Sequence, residues 1–205
     1  MGLRERKKEK TRLALMDAAL DLFLEQGYET TTIEQIAGSA DVSSRTFFRY
    51  FTSKEHLVLG HHDEIQAILL DTLRLRPPEE PPFQAVCAAL RAVLREVEQS
   101  TPEDRERFLK GRRLMEDNPM LMGKAIGRMA ETERLAVDEV ARRQGSDPRV
   151  DQLPHLVVAF AMSAMRIGYE CEHRDVADMR ELTERVESAI ALAERCLRPG
   201  WDLTG

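Results

Sequence analysis

The stretch TTIEQIAGSADVSSRTFFRYFTSKEHL, residues 31–57, decides the reading of this chain. Thr32 stands before Ile33 with Gln35 three positions on, the sign of a helix opened by a capping box. The pattern falters from Gly38 to Asp41, Ser43 or Ser44 opens a second short helix, and Ser53 with Lys54 and Glu55 opens a third. Ile33, Ile36 and Ala37 form the buried side of the first of these. Gly38 and Ala40 are small enough for the next helix to cross closely, and Val42 plugs the turn. Phe47 and Phe51 lie four apart and face one core. Ser44, Arg45, Thr46 and Phe48 then point away from the apolar interior. A helix-turn-helix sets such side chains against base edges in the major groove and anchors them by flanking phosphate contacts.

Arg45 is the best candidate for specificity, since a guanidinium pairs with guanine O6 and N7. Thr46 offers a hydroxyl or a methyl. Phe48 reads either as a ring against a thymine methyl or as simple packing. Thr31 or Thr32, at a helix start, can hold a phosphate together with free backbone N–H groups. Arg49, Tyr50 and Lys54 are further phosphate candidates. Each cation alone reads as solvated surface; four polar anchors within ten positions, around two buried phenylalanines, read as an interface.

Charge is distributed to match. Residues 1–12 carry six basic side chains against two acidic, residues 1–55 balance at nine and nine, and residues 56–205 hold the whole net charge of −6. The lysine-rich arm before residue 12 can lie along a DNA backbone or reach the minor groove, while the remainder stays acidic. The chain has 42% apolar and 32% charged residues and no run of 18 apolar ones, so no membrane partner is expected. No apolar leader follows the charged start. Cys87, Cys171 and Cys196 are far apart and odd in number, which fits a reducing, cytoplasmic location.

Outward from the deciding stretch, every period is helical. Leu13, Met16, Ala19, Leu20 and Phe23 mark a first helix from about Lys8 to Gln26, stopped by Gly27. The helix opened by Ser53 runs to about Leu73 with Ile65, Ile68, Leu69 and Thr72 on its apolar face. The breaker RPPEEPP, residues 76–82, separates it from a helix over Phe83 to Glu98, with Val86, Leu90, Val93, Leu94 and Val97 inside. Thr101, Pro102 and Glu103 cap another, ending between Met115 and Asn118, and a further one runs from Pro119 to Arg143. The expected fold is all-α with about nine helices. Residues 1–52 form a helix-turn-helix domain and residues 53–205 a helical ligand-binding and dimerisation domain.

The last two helices have a special character. Leu153 to Cys171 is apolar over much of its circumference, and Leu182, Val186, Ala189, Ile190, Ala193 and Leu197 mark the final one. One reading is a homodimer closed by two helices from each copy, through Val157, Ala161, Ala164, Val186, Ile190 and Ala193. The other is a buried central helix in a monomeric bundle.

Regulation needs a second site. Its candidate walls are Phe83, Val86, Cys87, Leu90, Phe108, Met115, Met120, Met122, Ile126 and Met129, with Arg112, Arg113 or Arg128 to meet an acidic group. Each of these also reads as ordinary core or solvent-facing helix. No nucleophile-and-base, HExxH or EF-hand pattern occurs, so neither catalytic residues nor a metal or other cofactor is expected. Among His56, His61, His62, His155 and His173, the adjacent pair diverges by about 100° on a helix and makes a poor metal pair. The competing function is a helical interaction module or a small-molecule-binding protein with no DNA role.

Residues 11–57 resemble the N-terminal domain of the TetR family of bacterial transcription regulators. The matching positions are Ala18, Ala19, Leu22, Phe23, Gly27, Tyr28, Thr31, Thr32, Ile36, Ala37, Ala40, Val42, Ser43, Thr46, Phe47, Tyr50, Phe51, Lys54, Glu55 and Leu57. The resemblance implies about nine helices, a homodimer, a repressor of a pseudo-palindromic operator, and a C-terminal domain for a small-molecule effector. It implies bases at Ser44, Arg45, Thr46 and Phe48, and phosphates at Thr32, Tyr50 and Lys54. A glycine or proline often stands in the family where this chain has Arg45, which sharpens Arg45 as a reader of sequence. The C-terminal half is similar to actinobacterial members, including regulators of mycofactocin gene clusters. That likeness implies a long-chain or acyl-thioester effector.

Overall fold

The computed structural model of the protein describes residues 2–170 and 179–196. Among them are nine helices: α1 (Leu3–Gln26), α2 (Ile33–Ser39), α3 (Ser44–Tyr50), α4 (Lys54–Leu75), α5 (Pro82–Gln99), α6 (Pro102–Glu116), α7 (Pro119–Gln144), α8 (Leu153–Glu170) and α9 (Met179–Cys196). The described residues contain no strand. Local chemistry sets the boundaries. Thr32 and Gln35 form the full capping box of α2, and the Ser43 and Thr101 hydroxyls accept the Thr46 and Asp104 amides in the first turns of α3 and α6. Ser53 Oγ accepts the His56 amide at the start of α4. Gly27 and Gly145 adopt positive φ (95° and 65°) just past α1 and α7.

Two expectations change. The first helix starts at Leu3, not near Lys8. The arginines, lysines and glutamates of the arm are strong helix formers, and Arg12 pairs with Glu9 one turn back at 3.2 Å. Gly38 does not serve a close crossing, because a Cβ there would meet nothing within 4 Å. The turn is made instead by Asp41, at φ 53°, a conformation that Asp tolerates better than most residues.

The chain falls into two compact units. The first takes Met1–Asp63 with Thr101–Ile126. Its core gathers Leu15, Ala19, Phe23, Ile36, Phe47 and Leu57 around Leu114, Leu121 and Ala125, which is why the α6 segment belongs with the N-terminal helices. Leu15 is fully buried, whereas Leu13 is only half-buried, because α1 is packed by α6 as well as by α2. Charges reinforce the apolar contact. Arg107 of α6 grips Asp17 of α1 through two nitrogens at 2.6 and 2.9 Å, and Lys110 reaches Asp21 at 2.7 Å. His61 packs its ring edge-on against Phe108.

The second unit takes Glu64–Ser100 with Gly127–Gly205. Here α5 is the inner helix, with Phe83, Ala85, Val86, Cys87, Ala89, Leu90 and Val93 buried, and it packs on α8 and α9. Burial pushes the Cys87 thiol up to about 12. Arg91 of α5 binds the carboxylates of Glu187 and Glu194 on α9 at 2.8–3.0 Å. Arg143 closes the end of α4, its guanidinium donating to the carbonyls of Leu73, Arg76 and Pro77 at 2.7–3.1 Å. Helices α8 and α9 meet closely at Gly168, where a Cβ would lie 2.5 Å from the Val186 Cα.

That contact corrects the expected dimer residues. Ala161, Ala164, Val186, Ile190 and Ala193 are buried within one chain, and Val157 is half-buried. The small residues mark where helices of the same chain approach each other. Among the described residues of α8 and α9, the large apolar side chains left in solvent are Leu153, Leu156, Phe160, Ile167 and Leu192. Cys171, His173 and Leu197 lie outside the described residues.

Candidate nucleic-acid interface

The reading helix α3 is fixed from below. Phe47 is fully buried and Phe51 nearly so, their ring centroids 5.6 Å apart. Phe→Ala in such a core costs on the order of 3–5 kcal/mol, so this face sets the helix orientation. With 47 and 51 inward, positions 45, 48 and 49 turn outward. Arg45 and Arg49 are exposed, and Phe48 is 55% exposed with its ring edge-on to Phe47 at 5.6 Å. The inner edge of Phe48 packs, and its outer face is open.

Ser44 and Thr46 are half-buried. The Thr46 hydroxyl sits 3.1 Å from that of Ser43, within the cap of α3. The expected base-facing set thus comes together on one helix, with Arg45 and Phe48 projecting furthest.

The expected phosphate set divides. Arg49 and Tyr50 form one unit: the guanidinium lies 5.0 Å from the ring centroid and donates to the phenol oxygen at 3.3 Å. Thr32 is exposed at the start of α2, and its hydroxyl oxygen accepts from the Gln35 amide at 3.2 Å.

Thr31 is a correction. It is 1% exposed, and its hydroxyl bonds inward to the Gly27 carbonyl at 2.8 Å. Lys54 is another. Its ammonium donates to the carbonyls of Tyr28 and Thr31, both at 2.7 Å, and lies 4.6 Å from the Tyr28 ring centroid. The sequence places a lysine at a helix start; nothing in it tells that two carbonyls 23 and 26 positions earlier claim the charge.

Electrostatics around this lysine are legible in Tyr28, whose phenol is pushed up to about 12 by burial first, then by Glu55 and Glu29. Glu55 is in turn ion-paired with Lys124 of α7. The basic arm, Arg4 to Lys10, continues α1 as an exposed helix rather than a loose strand.

The expected effector walls are divided between the two units. Phe83, Val86, Cys87 and Leu90 are tightly buried in the second unit, where Met129 is half-buried. Met120, Met122 and Ile126 are solvent-exposed (46%, 36% and 59%), which removes them as walls of an enclosed site within the first unit. There Phe108 and Met115 are half-buried, and buried Arg112 pairs with Glu116 at 2.7 Å. Among the described residues no group of three His, Cys, Asp or Glu side chains is placed to hold a metal, and no helix is long and apolar enough to cross a membrane.

Comparison with known proteins bears on the same segment. Residues 15–60 match the bacterial regulatory proteins of the tetR family, and residues 80–195 match the MftR C-terminal domain. The HTH-type transcriptional regulator TcmR of Streptomyces glaucescens is 39% identical over 192 residues, covering 92% of this chain and 85% of TcmR. The chain belongs to the TetR family. Solved structures agree on the fold. PfmR, a TetR-family regulator from Thermus thermophilus, superposes with a TM-score of 0.51 at 20% identity, covering 90% of this chain and 98% of its own. A transcriptional regulator from Aquifex aeolicus gives 0.54 at 16% identity, covering 89% and 98%. As a TetR-family member the chain is a DNA-binding transcriptional regulator, and α2 and α3 are its helix-turn-helix.

Proposed function

We propose that the protein is a cytoplasmic repressor that binds a pseudo-palindromic operator as a homodimer and is released by a small-molecule effector. The observation that carries this reading is α3: seven residues long, pinned through Phe47 and Phe51, with Arg45, Phe48 and Arg49 projecting into solvent. Arg45 reads a guanine edge, Phe48 covers a thymine methyl, and Ser44 and Thr46 make shorter contacts. Thr32, Arg49, Tyr50 and the basic face of α1 hold phosphates and set the register.

Two copies are needed to address two half-sites about 34 Å apart. The exposed stripe Leu153, Leu156, Phe160 and Ile167 of α8, with Leu192 of α9, supplies the self-complementary surface. An effector acts by favouring a dimer whose two α3 helices no longer match that spacing. The likeness of residues 80–195 to the MftR C-terminal domain favours an acyl-bearing effector, long-chain or thioester, with regulation rather than catalysis as the outcome.

Selection of genomic fragments bound by the purified protein tests the reading. Recovery of one inverted repeat, retarded by wild type and not by Arg45→Ala, is the expected result. Retention of every duplex alike, or of none, sinks it.

A further inference from the structure

We propose that Phe48 makes operator recognition depend on a pyrimidine 5-methyl group, carried by the base pair next to the guanine that Arg45 reads. The inference rests on the DNA-binding reading above and deepens it: the site asks for a methyl group, not for thymine as such.

Phe48 is 55% exposed on a seven-residue helix whose other exposed side chains, at 45 and 49, are arginines. Its ring is held in place. It stands at 85° to the Phe47 ring with centroids 5.6 Å apart, and Phe47 is fully buried and braced by Phe51. A phenyl ring carries no donor and no acceptor, so it offers nothing to a phosphate oxygen or to a polar base edge. The apolar group within the major groove is the C5-methyl, and that is what such a ring covers.

The neighbouring side chains are engaged otherwise. Thr46 is half-buried, with its hydroxyl 3.1 Å from that of Ser43 in the cap of α3. The Arg49 guanidinium is turned onto Tyr50, 5.0 Å from the ring centroid. Arg45 lies three positions before Phe48, and residues so spaced on a helix stand about 5–6 Å apart at Cβ. Successive bases of a strand are separated by about 3.4 Å of axial rise together with the turn of the groove. Arg45 and Phe48 therefore address neighbouring base pairs.

The consequence is a base preference that no hydrogen bond sets. Thymine presents O4 and 5-methylcytosine presents N4–H2, but both present the methyl. A ring without polar atoms does not separate these two bases. It separates both of them from uracil and cytosine.

Mobility shifts with the full chain and the operator recovered above test this. Two comparisons remove a methyl and nothing else: thymine against uracil opposite adenine, and 5-methylcytosine against cytosine opposite guanine. Both are made at each pair of a half-site. At one position both are expected to favour the methylated base about fourfold, the effect of one buried carbon. That position adjoins the guanine whose discrimination Arg45→Ala abolishes. Phe48→Ala is expected to bring both ratios to one while the guanine preference stays.

Should Phe48→Ala not fold, cross-linking of the wild-type chain decides. An operator with 5-iodouracil at the sensitive position, iodine replacing the methyl, is expected to join to Phe48 on irradiation. Ratios of one at every position overturn the inference. So do a sensitive position away from the Arg45 guanine, ratios unmoved by Phe48→Ala, or a cross-link to another residue. Wild type that binds no duplex defeats the DNA-binding reading instead.

Discussion

Arg107 and Asp17 form a two-pronged ion pair across α6 and α1, Nε to Oδ1 at 2.6 Å and Nη2 to Oδ2 at 2.9 Å. The pair is fork-to-fork, the geometry in which arginine and carboxylate give most specificity per contact. Arg107 is largely covered and Asp17 is half in solvent, so the energy is moderated by water. A double-mutant cycle with Arg107→Ala and Asp17→Ala, followed by urea unfolding, should give a coupling of about 1 kcal/mol that shrinks with added salt. A coupling of zero at low salt would show that α6 is held to α1 by Leu114 and its neighbours alone.

Replacing Arg45 separates reading from holding. Arg45→Ala should cost about 1–3 kcal/mol against the operator and relax preference at one base position per half-site, while non-specific binding stays nearly constant. A mobility-shift series on single-base operator variants measures this. Unchanged discrimination would mean that α3 approaches DNA by another face.

The solvent-facing stripe and the buried one on α8 make opposite predictions. Leu156→Glu or Ile167→Glu, on exposed positions, should give a folded monomer in sedimentation. Ala161→Glu, at a fully buried position, should lose the fold itself. If both exposed-site variants sediment as dimers, copies meet elsewhere.

Glycine tolerance should be uneven. Gly168→Ala forces a methyl to 2.5 Å from the Val186 Cα and 3.0 Å from its nitrogen, both backbone atoms. Overpacking of this kind costs about 1–3 kcal/mol. Gly38→Ala meets no atom within 4 Å, and its stability should stay within about 0.5 kcal/mol of wild type. Denaturant midpoints at constant slope compare the two.

Tyr28 gives the pH dependence. Its phenol keeps its proton in the folded state to about 12, against an ordinary value of 10.0, because burial and then Glu55 and Glu29 disfavour the phenolate. The unfolded chain gives up this proton first. Stability is therefore unaffected by Tyr28 below pH 10 and falls as pH rises from 10 toward 12. Ultraviolet titration should find one of the three tyrosines ionising last, and Tyr28→Phe should remove that phase.

Much of this was written in short-range chemistry. Thr32 with Gln35, Ser43, Ser53 and Thr101 each announce a helix start, and each is found capping one. Phe47 and Phe51 fix the face of α3 by spacing alone. What the chain did not disclose was long-range. Periodicity finds a buried stripe but not its partner, so Ala161 and Ile190 read equally well as facing a second copy or facing each other's helix. Thr31 and Thr32 are one residue type in adjacent positions, and only the path of the backbone sends one inward and the other out. Met120, Met122 and Ile126 read as cavity lining because they are apolar, though their helix turns them to water.

The near-touching backbones at Gly168 and Val186 have one more consequence. Two helices seated that closely cannot slide or roll past each other without a clash, so Leu156 and Ile167 ride on a stiff plate. Association through that plate forfeits little freedom beyond that of whole-body tumbling, and what sets the lifetime of a pair is the fit of the plates, since nothing need fold to form it.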